Sequence, residues 1–151
     1  MFSKKYVPTN VTRKDRKKLV RMLTKSKKLY KKQQFYTRKK ISSFKSKKSG
    51  HLANAYRIYD ITTLVPNKEL AQKTGCSIPA MKQIIKKGKG AYFSSGSRPN
   101  QTPQSWGVAR LASALTAGKA AAIDYHILEK GCDHKKNAFI LANKSRKTNR
   151  P

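Results

Sequence analysis

This chain is short of acid. Its 151 residues hold six Asp and Glu against 36 Lys and Arg, for a formal net charge of +30. The few carboxylates are scattered, and no two are spaced to share one face of a polar cleft. Paired general acid–base catalysis is therefore excluded, and no catalytic residue is assigned. Cysteine is scarce too. Cys76 and Cys132 do not make a disulfide framework, and a reducing compartment is the simpler inference. Neither C-x-x-C nor H-x-x-x-H spacing links Cys76, His126, Cys132 and His134, so no metal site is expected. No lysine-and-hydroxyl spacing of a P-loop occurs, and neither cofactor nor small-molecule substrate is expected. No apolar run approaches the length of a membrane span, and the N-terminus lacks the apolar core of a signal peptide.

What is abundant is positive charge. Self-repulsion at this charge opposes compaction, so a polyanion or a neutralising assembly is expected as partner. Nucleic acid comes first, an anionic membrane surface second. Residues 1–50 hold nineteen of the cations and a single acid, Asp15. Thr12 followed by Asp15 marks a helix start. Leu19, Met22, Leu23, Ser26 and Tyr30 then recur at helical spacing as one narrow apolar stripe. So little buried surface predicts a long, largely extended N-terminal arm that is disordered alone and orders on assembly. Its candidate contacts to nucleic acid or a partner are Arg13, Lys17, Arg21, Lys28, Lys32 and Arg38. Leu19, Met22, Leu23 and Tyr30 are its candidate apolar anchors.

The expected organisation is a basic arm over 1–50, a small helical domain over 51–145 and a basic tail over 146–151. The fold class is mostly α. Leu52, Ala55, Tyr56 and Tyr59 share one helical face. Asn67 caps a second helix that ends at Gly75, and Ser77 caps a third that runs to Gly88. Residues 67–86 have the layout of a helix-turn-helix-like hairpin, with Leu70, Cys76, Met81 and Ile84 on the buried faces. Its second helix would offer Ser77, Lys82, Gln83 and Lys86 to a groove, although a structural helical hairpin fits the same spacing. Beyond the hairpin, Val108, Leu111, Ala112 and Leu115 form an amphipathic helix to Gly118. Ala120, Ile123 and Ile127 continue the pattern to Gly131, and AFILA at 138–142 reads as helix or strand.

Between these helices lies KKGKGAYFSSGSRPNQTPQSW, residues 86–106. It lacks a hydrophobic period and reads as a loop from its lysines to Thr102-Pro103, which start the next helix. Lys87, Lys89, Arg98 and Asn100 are its candidate phosphate or partner contacts, the alternative being a solvated connector. Arg98 and Trp106 are expected to hold it, with the indole against Tyr92 or Phe93.

The run GKGAYFSSGSRPNQTPQSWGVARLASALTAGKAAAIDYHIL resembles an uncharacterised domain of small basic proteins in large DNA viruses, notably algal viruses, and some marine phages. The resemblance covers residues 75–142 and leaves out the arm. It implies a virion interior setting, with host cytoplasm or nucleus before assembly, and it carries no catalytic motif. The expected role is then a non-enzymatic internal minor capsid protein that docks under the shell and binds capsid proteins or genome with its arm. The alternative is a nucleic-acid-binding protein for duplex DNA, by non-specific packaging or helix-turn-helix contact. A ribosomal-type RNA-binding protein is a third reading.

Overall fold

Hydroxyl and amide side chains start several of the helices. The Thr12 hydroxyl accepts from the Asp15 amide at 3.2 Å, opening α1 (Arg13–Lys31). Ser49 caps α2 (Gly50–Tyr59), and Asn67 caps α3 (Lys68–Thr74). Ser77 accepts from Ala80 at the start of α4 (Ile78–Ser94). Thr102 and Ser105 cap α5 (Pro103–Leu115) reciprocally, each hydroxyl accepting from the other's amide. Then follow α6 (Lys119–Ile123), α7 (Tyr125–Gly131) and α8 (Asn137–Thr148). This computed structural model describes residues 2–148, and among them the chain is mostly α, without a β-strand. No helix in that range is long and apolar enough to cross a membrane.

The described chain divides into two compact units. One holds the N-terminal segment to Lys47 together with Lys89–Trp106, and the other holds Lys48–Gly88 together with the chain from Gly107 onward.

The first unit replaces the expected extended arm. Leu19, Met22 and Leu23 are buried within the chain itself. Leu19 and Met22 meet Val11 and Ile41, with Val7, Tyr36 and Phe44 against them. The stripe therefore finds apolar partners within the chain and does not wait for an assembled one. Asp15 is buried, and its carboxylate accepts from the amide and hydroxyl of Ser43. These bonds hold its pKa below the usual carboxylate range. Residues 34–49 have no regular structure, yet Ile41 is in the core.

The second unit contains the larger core, including Ala55, Leu70, Met81, Ile84, Leu111, Leu115, Leu128 and Phe139. Gly75 ends α3 at φ +79, the left-handed cap position that favours glycine. Helices α4 and α5 approach closely: a Cβ on Gly88 would lie 2.6 Å from the Gly107 Cα. A Cβ on Gly107 would lie 2.6 Å from the Ile85 carbonyl oxygen. Gly88 serves that approach inside α4, which runs through the glycines to Ser94 and does not stop at Gly88. The expected loop from Lys86 is thus helical over its first half.

Three further differences lie in the C-terminal half. The pattern expected to run from Ala120 to Gly131 is two helices broken at Asp124, which turns Ile123 out to solvent at 64% exposure. AFILA is helical, and α8 also takes in Arg146 to Thr148 of the expected basic tail, whose last residues, 149–151, lie outside the described range. Cys76 and Cys132, expected not to make a disulfide framework, are joined as a disulfide.

Asp124 is fully buried in this unit. Arg110 holds it through two bonds of 2.8 and 2.9 Å, and Lys87 lies 3.2 Å away. Burial pushes the Asp124 carboxyl up, but the bonds and charges of Arg110 and Lys87 outweigh it, leaving the pKa below 3.8.

Two stability predictions follow from this unit. The disulfide closes a sequence separation of 56 residues. Replacing Cys132 by Ser should lower unfolding free energy by about 4 kcal/mol in the chain-entropy account. Denaturant titration of the variant and of reduced wild type should agree; equal midpoints for oxidised and reduced wild type would show that the bridge contributes nothing. Because the folded pKa of Asp124 is depressed, its contribution is full above the unfolded value near 3.8 and is lost as pH falls through the folded value. The stability difference between wild type and Asp124→Asn should be constant above about pH 4 and shrink below it. A difference that already shrinks between about pH 5 and 6 contradicts the ion-pair assignment.

Candidate nucleic-acid interface

The first unit contains twenty Lys and Arg and one carboxylate, Asp15, which is already hydrogen-bonded inside it. Its cations therefore have almost no counter-charge within the unit. Helix α1 orders a row of them. With the Leu19–Met22–Leu23–Ser26 face turned inward, Arg13, Lys17, Arg21, Lys28 and Lys32 are exposed. From Arg13 to Lys32 the rise is about 28 Å, the length of roughly eight base-pair steps. A shallow groove runs along this side, lined by Val20, Arg21, Thr24, Lys25, Lys28, Leu29 and Lys32.

The other candidates divide by what they touch. Arg38 is not a free phosphate ligand. Its guanidinium donates to the Tyr92 carbonyl at 2.8 Å, to Ser26 Oγ at 3.0 Å and to Ser97 Oγ at 2.8 Å. It also lies 3.8 Å from the centre of the Tyr92 ring, and the Arg38 amide donates to the Tyr92 hydroxyl at 2.9 Å. Burial draws the guanidinium pKa down, and the neighbouring tyrosines partly offset this. Ser26 adds a bond to the Phe93 carbonyl at 3.2 Å. Arg38 and Ser26 thus satisfy carbonyls in the last turn of α4, where the helix dipole favours a cation.

Asn100 is also structural. Its side chain accepts from the Ile41 amide at 2.8 Å and donates to the Ile41 and Phe44 carbonyls at 3.2 and 3.3 Å. The polar loop is therefore held by Arg38 and Asn100, whereas Arg98, expected to hold it, is exposed. Trp106 packs edge-on against Tyr6, with centroids 6.3 Å apart, and not against Tyr92 or Phe93. Tyr92 itself is fully buried under Arg38. Of the apolar anchors only Tyr30 stays at the surface, stacked on Phe93.

On α4, Lys82, Gln83 and Lys86 are exposed, Lys87 is paired with Asp124, and Lys89 is half-buried. The turn between α3 and α4 is tied to the chain around the end of α7: the Ser77 amide donates to the Gly131 carbonyl at 2.7 Å, and the Asp133 amide to the Gly75 carbonyl at 2.7 Å. Among the described residues no cluster of His, Cys, Asp and Glu could hold a metal ion. Sequence reasoning missed Ser26, Ser43, Tyr92 and Ser97 as partners of the charged residues. Only Ser26 carried a signal, as a polar residue inside an otherwise apolar stripe.

The model of DUF5824, a family of unknown function, matches residues 3–138. The match takes in N-terminal residues that the resemblance over 75–142 leaves out. No curated protein and no solved structure matches the chain.

Replacing Arg38 by Ala leaves Ser26, Ser97 and the Tyr92 carbonyl without their shared donor. A loss of roughly 2–4 kcal/mol in unfolding free energy is expected, with Arg38→Lys recovering little because an ammonium lacks the planar fork. Chemical denaturation checks both. A Lys variant as stable as wild type would show that charge alone suffices.

Proposed function

We propose that this chain, which belongs to the DUF5824 family, is a non-enzymatic nucleic-acid-binding protein that grips the phosphate backbone of duplex DNA through the outward face of α1. The observation that carries this reading is a pre-ordered cationic row in a unit of twenty Lys and Arg whose one acid is engaged internally. A folded helix presents its cations without the ordering cost of a disordered arm. The face of α1 offers a row of cations spaced along the helix, which suits phosphates, so contact is largely independent of sequence. The viral resemblance supplies the setting: the interior of a virus particle, with the packaged genome as polyanion.

An internal minor capsid protein anchored to shell proteins by its arm is the weaker reading. It required Leu19, Met22 and Leu23 to be free for partners, and they are buried in this chain's own core. A helix-turn-helix reading of α3 and α4 keeps Lys82, Gln83 and Lys86 outward. A structural helical hairpin fits the same layout, its turn tied to the chain around the end of α7.

If the five α1 residues each neutralise a phosphate, the slope of log K against log salt for duplex DNA should be about −4 to −5. Affinity should then fall by roughly 500-fold between about 50 and 200 mM salt. Lys17→Ala and Arg21→Ala should each reduce the slope by about one, equally for unrelated duplexes. A flat salt dependence, or slopes unchanged in both variants, rejects α1 as the binding face.

A further inference from the structure

We propose that the exposed aromatic cluster at the C-terminal end of α1 is a stacking platform for unpaired bases, so that the protein also takes single-stranded nucleic acid. This deepens the nucleic-acid reading above and rests on it. The cluster is Tyr30, Phe35 and Phe93. Tyr30 and Phe93 lie nearly parallel, 8° between planes with centroids 6.4 Å apart, and Phe35 sits 5.1 Å from Phe93. Phe35 is 69% exposed and Tyr30 36%, while Phe93 is half-buried and rests edge-on against Tyr92 beneath it.

Local backbone holds the rings there. At the end of α1 the Gln34 amide donates to the Leu29 carbonyl at 2.8 Å and the Gln33 amide to the Tyr30 carbonyl at 2.9 Å. This paired-bond helix stop needs a left-handed residue between, and Gln33 takes it at φ +60 where glycine is usual. The turn sends the chain back so that Phe35 meets the ring of Tyr30, 6.2 Å away. Beneath it, Gly90 leaves open space; a Cβ there would meet only the Tyr30 hydroxyl, at 3.9 Å.

Charge decides the occupant. Lys27, exposed with its ammonium 4.8 Å over the Phe2 ring, lies one helical turn before Tyr30, and half-buried Lys89 lies one turn before Phe93. The unit's sole carboxylate, Asp15, is engaged with Ser43 and cannot neutralise them. Lysines are depleted from protein interfaces, because burying them without a counter-charge is costly. A nucleotide answers both demands, with a π-face for the rings and a phosphate for the ammonium groups. A duplex interior offers no free base face, so the occupant is a single strand.

The test uses the full chain and three probes of equal length at equal salt: an oligothymidylate, an abasic strand and a duplex. Phe35→Ala is the primary variant, since its ring is the most exposed of the three and its loss leaves the core intact. It should weaken oligothymidylate binding by roughly 5- to 150-fold, the range for losing one stacked base. Abasic and duplex affinities and every salt slope should stay unchanged, and Phe35→Trp should retain strand binding. An equal loss on all three probes, or no loss on any, overturns the platform. Wild type that binds duplex but does not prefer the oligothymidylate to the abasic strand overturns it alone. Wild type that binds none of the probes removes the nucleic-acid reading and the platform together.

Discussion

A single guanidinium organises the N-terminal unit. Arg38 lies flat on the Tyr92 ring and donates to one carbonyl and two hydroxyls, while its own amide takes the Tyr92 hydroxyl. Those partners come from α1, the end of α4 and the polar loop. Planarity matters here, because a fork of fixed donors can serve several acceptors at once while its face covers a ring. Without it, the last carbonyls of α4 and the hydroxyls of Ser26 and Ser97 lose a donor in a half-buried setting. The α1 face that carries Arg13, Lys17 and Arg21 outward depends on that clamp, because its inner face must stay docked for the outer face to stay aligned.

The scarce acids are placed with the same economy. Asp15 sits in the first turn of α1, where the helix dipole favours an anion, and ties residue 43 to the helix start. Asp124 sits at the break between α6 and α7, where Arg110 and Lys87 converge on it. Both are consumed internally, and among the described residues Lys73, Lys87 and Arg110 form ion pairs with a carboxylate.

Much of the helical layout was legible in the residues. Thr12, Asn67 and Thr102 start helices where their side chains can cap, and Gly75 ends one where a left-handed residue is needed. Leu19, Met22 and Leu23 were rightly read as one face. What Leu19 and Met22 pack against was not legible, because Ile41 lies beyond a segment without hydrophobic period. A lysine-rich segment of that length looks too poor in apolar surface to fold alone, and composition cannot reveal that residues 89–106 complete it. The glycines at 88 and 90 pointed to a loop. Gly88 instead serves the close crossing with Gly107 inside a continuous helix. Arg38 and Asn100 resembled phosphate ligands because the same donors that suit phosphate also suit backbone carbonyls.

The central claim is that the basic helix is folded before any partner arrives. Amide hydrogen exchange on the free protein at moderate salt measures this directly. The account predicts strong protection for Leu23 and Ser26 within α1 and for the amides of Arg38 and Ile41, whose acceptors are Tyr92 and Asn100. Exchange at unfolded-chain rates throughout residues 13–47, with protection retained in the second unit, would contradict it and return the segment to a disordered arm.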